Sequence, residues 1–220
     1  MSLDRSRTAS LAQAASLALL AGWAALAHAA PAPPPADFGG KATETLRLAA
    51  RVVETGDAQG LPFIIVDKVG ARVFAFDGEG RLRGAVPALL GSAHGDDSPA
   101  GIGAMRLADI KPEQRITPAG RFEAHLGPDL GPHDVLWIDY GAAISLHRVV
   151  TAKASERRAQ RLATPSTLDN RISYGCINVP VRFYEEVVAP LFKPASGIVY
   201  ILPESRPVEQ VFAWAAEPRR

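Results

Sequence analysis

From Leu61 onward the apolar residues come in short runs, and each run is cut by glycine, proline or aspartate before a helix could establish itself. Phe63-Ile64-Ile65-Val66 is continuously apolar, Lys68-Val69-Gly70 turns the chain, and Arg72-Val73-Phe74-Ala75-Phe76 alternates. Asp77-Gly78-Glu79-Gly80 turns it again into Leu82–Leu90. Runs of this length, rich in β-branched and aromatic residues and bounded by turn formers, are strands, and three in succession predict a β-meander. Thr117–Leu126 returns to strand through Pro118 and Gly120. Val135–Asp139 and Ala143–His147 flank Tyr140-Gly141-Ala142 as a hairpin, which puts His147 at a strand end. Gly197–Leu202 is a closing strand.

Helical pattern is sparse. Lys41–Glu54 places Leu46, Ala49, Ala50 and Val53 on one face and meets Gly56 at its end. Thr151–Asn170 is charged and helical in pattern, a solvated segment ended by Pro165. Phe183, Val187 and Val188 recur at helical spacing after Pro180, and Val208–Ala216 adds a short helix. Many short strands, Gly/Pro turns and few helices predict a mainly β fold, a sandwich or barrel. Ser92–Arg115 has no period and reads as a mobile loop.

The N-terminus has the pattern of a secretory signal. Arg5 and Arg7 precede an apolar Ala/Leu run from Leu11 to Leu26, and Ala27-His28-Ala29 offers a small-x-small cleavage site. Cleavage leaves no stable membrane span; retention as an anchor is the alternative, disfavoured by the short run with Gln13 and Ser16 inside it. The expected organisation is a signal peptide over 1–29, a Pro-rich linker over 30–40, an N-terminal helix over 41–58, a catalytic domain over 61–203 and an extension over 204–220. A net charge of +1 without a basic stripe argues against a nucleic-acid partner. His94, Asp96 and Asp97 lie close in sequence, but no cysteine partner or HExxH helix accompanies them, so no metal is expected.

The chain has one cysteine, Cys176, in Arg171-Ile172-Ser173-Tyr174-Gly175-Cys176-Ile177-Asn178-Val179-Pro180. An exported protein usually pairs its cysteines, and a single one suggests a reactive thiol. Ser, Tyr, Gly and Asn are poor core neighbours for a merely buried sulfur. With Pro180 as a first helical residue, Cys176 is expected on a turn just before a helix N-terminus, where the helix dipole would favour a thiolate.

The motif Ser173-Tyr174-Gly175-Cys176-Ile177-Asn178 resembles the active-site motif of L,D-transpeptidases, cysteine enzymes that cross-link bacterial peptidoglycan. His147, in Ala143-Ile144-Ser145-Leu146-His147, matches their upstream histidine, and Thr117-Pro118-Ala119-Gly120-Arg121-Phe122 resembles their Thr-Pro-x-Gly-x-Phe segment. The likeness covers about residues 61–203. Tyr174 stands where the family usually has a second histidine, and the stretch from His147 to Cys176 is longer than is usual.

The resemblance implies a β-sandwich of two sheets with a few packed helices, working in the periplasm or cell envelope on peptidoglycan stem peptides, with no cofactor. It implies Cys176 as nucleophile and His147 as base. The residues themselves suggest the backbone N–H groups of Cys176 and Gly175 as oxyanion donors, with the Tyr174 hydroxyl as a third, and Ser173 and Asn178 as groups that shape the motif loop. Arg148 and Arg171 flank the two reactive residues and are candidates to hold a stem carboxylate. Hydrolysis of the same bond by a carboxypeptidase or amidase, and a catalytically silent peptidoglycan-binding module, are the rival readings.

Overall fold

The computed structural model describes residues 42–215. The expected signal peptide, the Pro-rich linker and the last five residues lie outside them. The first helix, α1, is Ala42–Thr55, and Gly56 ends it in the left-handed conformation at φ 67. Thr45, Leu48, Ala49 and Val52 are its buried face, whereas Leu46 and Val53 are about half exposed. The expected face was thus one residue out of phase: two adjacent apolar stripes run along this helix, and the one that meets the sheet wins.

Ten strands follow. They are β1 (Phe63–Asp67), β2 (Arg72–Phe76), β3 (Leu82–Pro87), β4 (Leu90–Gly91), β5 (Gly120–Pro128), β6 (Asp134–Asp139), β7 (Ile144–Arg148), β8 (Arg171–Ser173), β9 (Ile177–Val179) and β10 (Gly197–Ile201). Eight of them form one mixed sheet in the order β3-β2-β1-β10-β5-β6-β7-β9, and β4 pairs with β8 in a small second sheet. The segment expected as one strand over Leu82–Leu90 is two: β3 stops at Pro87, and Leu89 bridges instead to Asn178 beside the cysteine motif.

The long strand β5 joins the two halves of the sheet. Its first half, Gly120–Ala124, pairs with β10, and its second half, His125–Pro128, pairs with β6. The halves share one core. Ile64, Val66, Val73 and Ala75 from one meet Leu136, Ile138, Leu146 and Ile177 from the other, with Phe183, Tyr184, Val188 and Phe192 beside them. The last four come from one helical stretch, Val181–Phe183, a π-turn Tyr184–Val188 and Ala189–Phe192. The expected sandwich is therefore built from a continuous mainly β sheet.

Alternation along β1 explains why it is apolar throughout. Phe63 and Ile65 face a second core made with Leu48, Ala49 and Val52 of α1, Tyr200 and Phe212, while Ile64 and Val66 face the first. Phe212 belongs to the expected C-terminal extension, yet it is fully buried against α1 and β10. The segment expected to be helical over 151–170 contains only a 3₁₀ turn, Ala154–Glu156, and a short helix, α2 (Arg158–Ala163). Among the described residues no helix is long and apolar enough to cross a membrane.

Candidate active site

The site is built where β7 and β9 run parallel. Their register sets Leu146 beside Ile177 and His147 beside Asn178, so Cys176, at the head of β9, comes level with Ser145. Ile177, Asn178 and Val179 are all buried, and strand pairing of these residues holds the cysteine in place. This corrects the expected helix N-terminus. Pro180 caps the helix that begins at Val181, the whole of β9 lies between that helix and the sulfur, and the dipole has no direct part in stabilising a thiolate.

Around the sulfur stand donors from Ser145, an accepting backbone carbonyl and the imidazole. Ser145 Oγ lies 3.7 Å from Cys176 Sγ, and the sulfur lies 3.5 Å from the carbonyl oxygen of Ala143. Burial pushes the Cys176 thiol up, but a hydrogen bond to His147, the charge of that ring and both the N–H and hydroxyl of Ser145 outweigh it, so the thiol is more acidic than usual. Burial likewise disfavours the His147 imidazolium. Cys176 and the Arg148 carbonyl outweigh that too, and the ring holds its proton more tightly than an ordinary histidine, with Arg158 opposing. The two shifts share one cause, the interaction of the sulfur with the ring, and bring the proton affinities of thiol and imidazole closer together.

His147 Nδ1 lies 2.7 Å from the carbonyl oxygen of Arg148. A carbonyl only accepts, so Nδ1 carries the ring proton and Nε2 is the nitrogen that exchanges a proton with the sulfur. Ser145 was overlooked as a site residue in the sequence. It stands two residues before His147 on one strand, and side chains at that spacing share a face, which was the available signal.

Within the motif loop, Ser173 Oγ donates to the Cys176 carbonyl at 2.6 Å and accepts from the Gly175 N–H at 3.1 Å. The Gly175 N–H, expected to face an oxyanion, is thus taken inside the loop, and the N–H of Cys176 is the one candidate donor of that pair left. Asn178 donates through Nδ2 to the same Cys176 carbonyl at 3.3 Å. The Tyr174 ring lies under the guanidinium of Arg115, 4.1 Å from it, at the surface.

The two arginines expected to bind substrate are engaged elsewhere. Arg148 follows His147 directly and so points to the opposite face of β7. There it pairs with Asp134 and Glu185 and lies over the Tyr184 ring. Arg171 is held by Glu204 and by the Lys68 carbonyl. Glu204 belongs to a buried ionic cluster: Lys68 Nζ reaches Asp96 at 2.7 Å and Glu204 at 3.7 Å, and it donates to the Gly95 and Thr117 carbonyls. Asp96, expected in a mobile loop, is buried and accepts from the backbone N–H groups of Glu204 and Ser205. Among the described residues no three His, Cys, Asp or Glu side chains gather as metal ligands.

A cleft of about 360 Å³ opens beside the β6–β7 turn, lined in part by Asp97, Pro118, Ala119, Phe122, Gly141 and Ala142. Ala143, which touches the sulfur, is the next residue of that turn.

No protein-family model and no curated protein sequence matches the chain. Among solved structures it is similar to the helical cell shape determining protein Pgp2 from Campylobacter jejuni, at 16% identity over 66% of this chain and 49% of that one, with a TM-score of 0.44. A fused Zn-dependent amidase/peptidase/peptidoglycan-binding domain-containing protein from Clostridium acetobutylicum is 18% identical over 77% of this chain and 63% of its own, with a TM-score of 0.40. The LD transpeptidase LdtMt1 in complex with imipenem is 11% identical over 64% and 58%, with a TM-score of 0.35. The chain spans about half the length of the first of these.

Proposed function

We propose that the protein is an exported cysteine acyltransferase of the L,D-transpeptidase type, acting on peptidoglycan stem peptides in the cell envelope. The observation that carries the reading is the pairing of Cys176 with His147 across β9 and β7, with Nδ1 of the imidazole tied to a carbonyl and the thiol made acidic. The Ser-Tyr-Gly-Cys-Ile-Asn motif supports the substrate class.

In this reading the thiolate attacks the carbonyl that joins an L-centre to a terminal D-residue. The S–C bond forms, the C–N bond breaks, and the proton that His147 took from the thiol passes to the leaving amine. An amine of a second stem then attacks the thioester. A new C–N bond forms, the S–C bond breaks, and the proton lost by the amine returns through His147 to the sulfur. The Cys176 N–H serves the developing oxyanion. The cleft beside the β6–β7 turn, adjoining the sulfur through Ala143, is where the peptide lies.

The deciding experiment incubates the protein with purified tetrapeptide stems and mass-analyses the products. Cross-linked dimer with loss of the terminal D-residue is expected, with no turnover by Cys176→Ala and a loss of about 10²–10⁴-fold for His147→Ala. Hydrolysed stems alone would make the protein a carboxypeptidase. Turnover that persists in Cys176→Ala would end the reading.

A further inference from the structure

Between β7 and β8 the chain makes an excursion in which Arg157 adopts the left-handed conformation, φ 51 and ψ 37, linking the 3₁₀ turn Ala154–Glu156 to α2. The reversal turns Glu156 and Arg158 toward each other, and Arg158 Nε donates to Glu156 Oε2 at 2.5 Å. The other limb of the same guanidinium, Nη1, donates to Asn178 Oδ1 at 2.7 Å. Arg161 fastens the excursion through the Glu156 and Asp169 carbonyls, 2.7 Å from each.

A guanidinium has donors only. The amide oxygen of Asn178 must therefore face Arg158, and its nitrogen must face the other way. There Nδ2 lies 3.3 Å from the Cys176 carbonyl and 3.4 Å from His147 Nε2. An amide N–H aimed at Nε2 is compatible with a lone pair on that nitrogen and repels a proton on it.

We propose that Arg158 is a positioning residue, which locks the Asn178 amide with its nitrogen on His147 and so disfavours a proton on Nε2. Its consequence for catalysis rests on the acyl-transfer reading: an imidazolium held against an amide N–H and a nearby guanidinium is the stronger acid toward a leaving amine. Without Arg158 the amide is free to turn its oxygen to Nε2–H, and the imidazolium gains a partner.

The charges around His147 fix the expected signs. Cys176 faces it from the motif, and Arg158, partly neutralised by Glu156, faces it from the excursion. On the opposite face of β7, Arg148 is paired with Asp134 and Glu185. The Arg158 charge opposes protonation of His147. Removing Arg158 should make the ring hold its proton more tightly, and removing the Glu156 charge should do the reverse.

The test is a titration of the His147 ring by NMR in the full chain with ¹⁵N-labelled histidine and no substrate present, so it is decided whether or not stem peptides prove to be substrates. In Arg158→Met the titration should move to higher pH. In Arg158→Lys it should move less, because the charge remains while the fork spanning Glu156 and Asn178 is lost. In Glu156→Gln it should move to lower pH. A folded Arg158→Met whose His147 titrates with the wild type, or below it, overturns the proposal. Should Arg158→Met fail to fold, Glu156→Gln decides: a titration that is unmoved or raised overturns it.

Discussion

The Thr117 hydroxyl donates to the Gly175 carbonyl oxygen at 2.7 Å, across 58 residues of chain, and accepts from the Gly91 N–H at 2.9 Å. Thr117 is fully buried, and its own carbonyl accepts from Lys68. One side chain therefore ties the cysteine loop to β4, and its backbone ties both to the ionic cluster. Thr117→Val keeps the shape and removes the hydroxyl, leaving a buried carbonyl and a buried N–H without it. We expect a loss of about 2–4 kcal/mol in denaturant unfolding. Thr117→Ser keeps the hydroxyl and should lose about 1 kcal/mol, the worth of one buried methyl. Equal losses in the two variants would show that the hydroxyl contributes nothing.

Ser145 offers two donors to the sulfur, and only one depends on its side chain. In Ser145→Ala the backbone N–H remains and the hydroxyl goes. The thiolate is then less stabilised, so its formation should require higher pH. Measured as the pH dependence of Cys176 alkylation by iodoacetamide, the wild type should react at pH values below the ordinary thiol range. The variant's curve should be displaced upward. A curve that superimposes on the wild type would mean that the Ser145 hydroxyl has no part in setting the thiol's acidity.

Gly175 sits at φ 134, and a Cβ there would fall 2.8 Å from the Ile116 carbonyl oxygen and 2.7 Å from Ile144 Cδ1. The isoleucine end can move; a backbone carbonyl in the segment leading to Thr117 cannot without shifting the tie just described. Gly175→Ala thus combines backbone strain of about 1–3 kcal/mol with a steric conflict beside the nucleophile. We expect lowered stability in thermal unfolding and alkylation of Cys176 slowed at all pH values, because the loop is displaced and the thiol's acidity is only secondarily affected. Wild-type alkylation in a folded Gly175→Ala would refute this.

The strands were legible because period-two runs cut by Gly and Pro admit few other structures: β1, β2, the β6–β7 hairpin and β10 lie where Phe63, Arg72, Val135, Ala143 and Gly197 announce them. The cysteine motif was legible as a string of residues, while its surroundings were not. Arg148 and Arg171 are near the reactive residues in sequence, but neighbours on a strand face opposite ways, and Arg171 meets Glu204 only because the segment after β10 returns to it. Asp96 looked like a loop residue because its partners, Lys68 and Ser205, are remote in the chain. Arg158 looked like one solvated charge among several, and its bond to Asn178 exists only once the excursion folds back. A pattern along the chain reports local structure and burial; contacts closed by long excursions leave no period.

The buried ion pair of Lys68 with Asp96 makes the stability of the fold depend on pH. The side chains of Lys68 and Asp96 are 0% and 2% exposed, so neither charge can be relieved by water. Burial alone would raise the Asp96 carboxyl, but Lys68, Ser205 and the two backbone N–H groups hold it far below the usual carboxylate range. A depressed carboxyl stabilises the fold above its unfolded value, near pH 4, and that stability is lost as the pH falls toward the folded value. The wild type should therefore lose stability steadily below about pH 4, and Asp96→Asn should lack that part of the acid limb while being less stable at neutral pH. Lys68→Met leaves the carboxylates without their cation and should cost about 3–5 kcal/mol at pH 7, the usual consequence of breaking a buried pair on one side. The double variant Lys68→Met/Asp96→Asn should recover part of that loss, since no uncompensated Asp96 charge remains. Denaturant unfolding of all four proteins at pH 7 and pH 3 checks the scheme, and additive losses in the double variant would show that the two charges act independently.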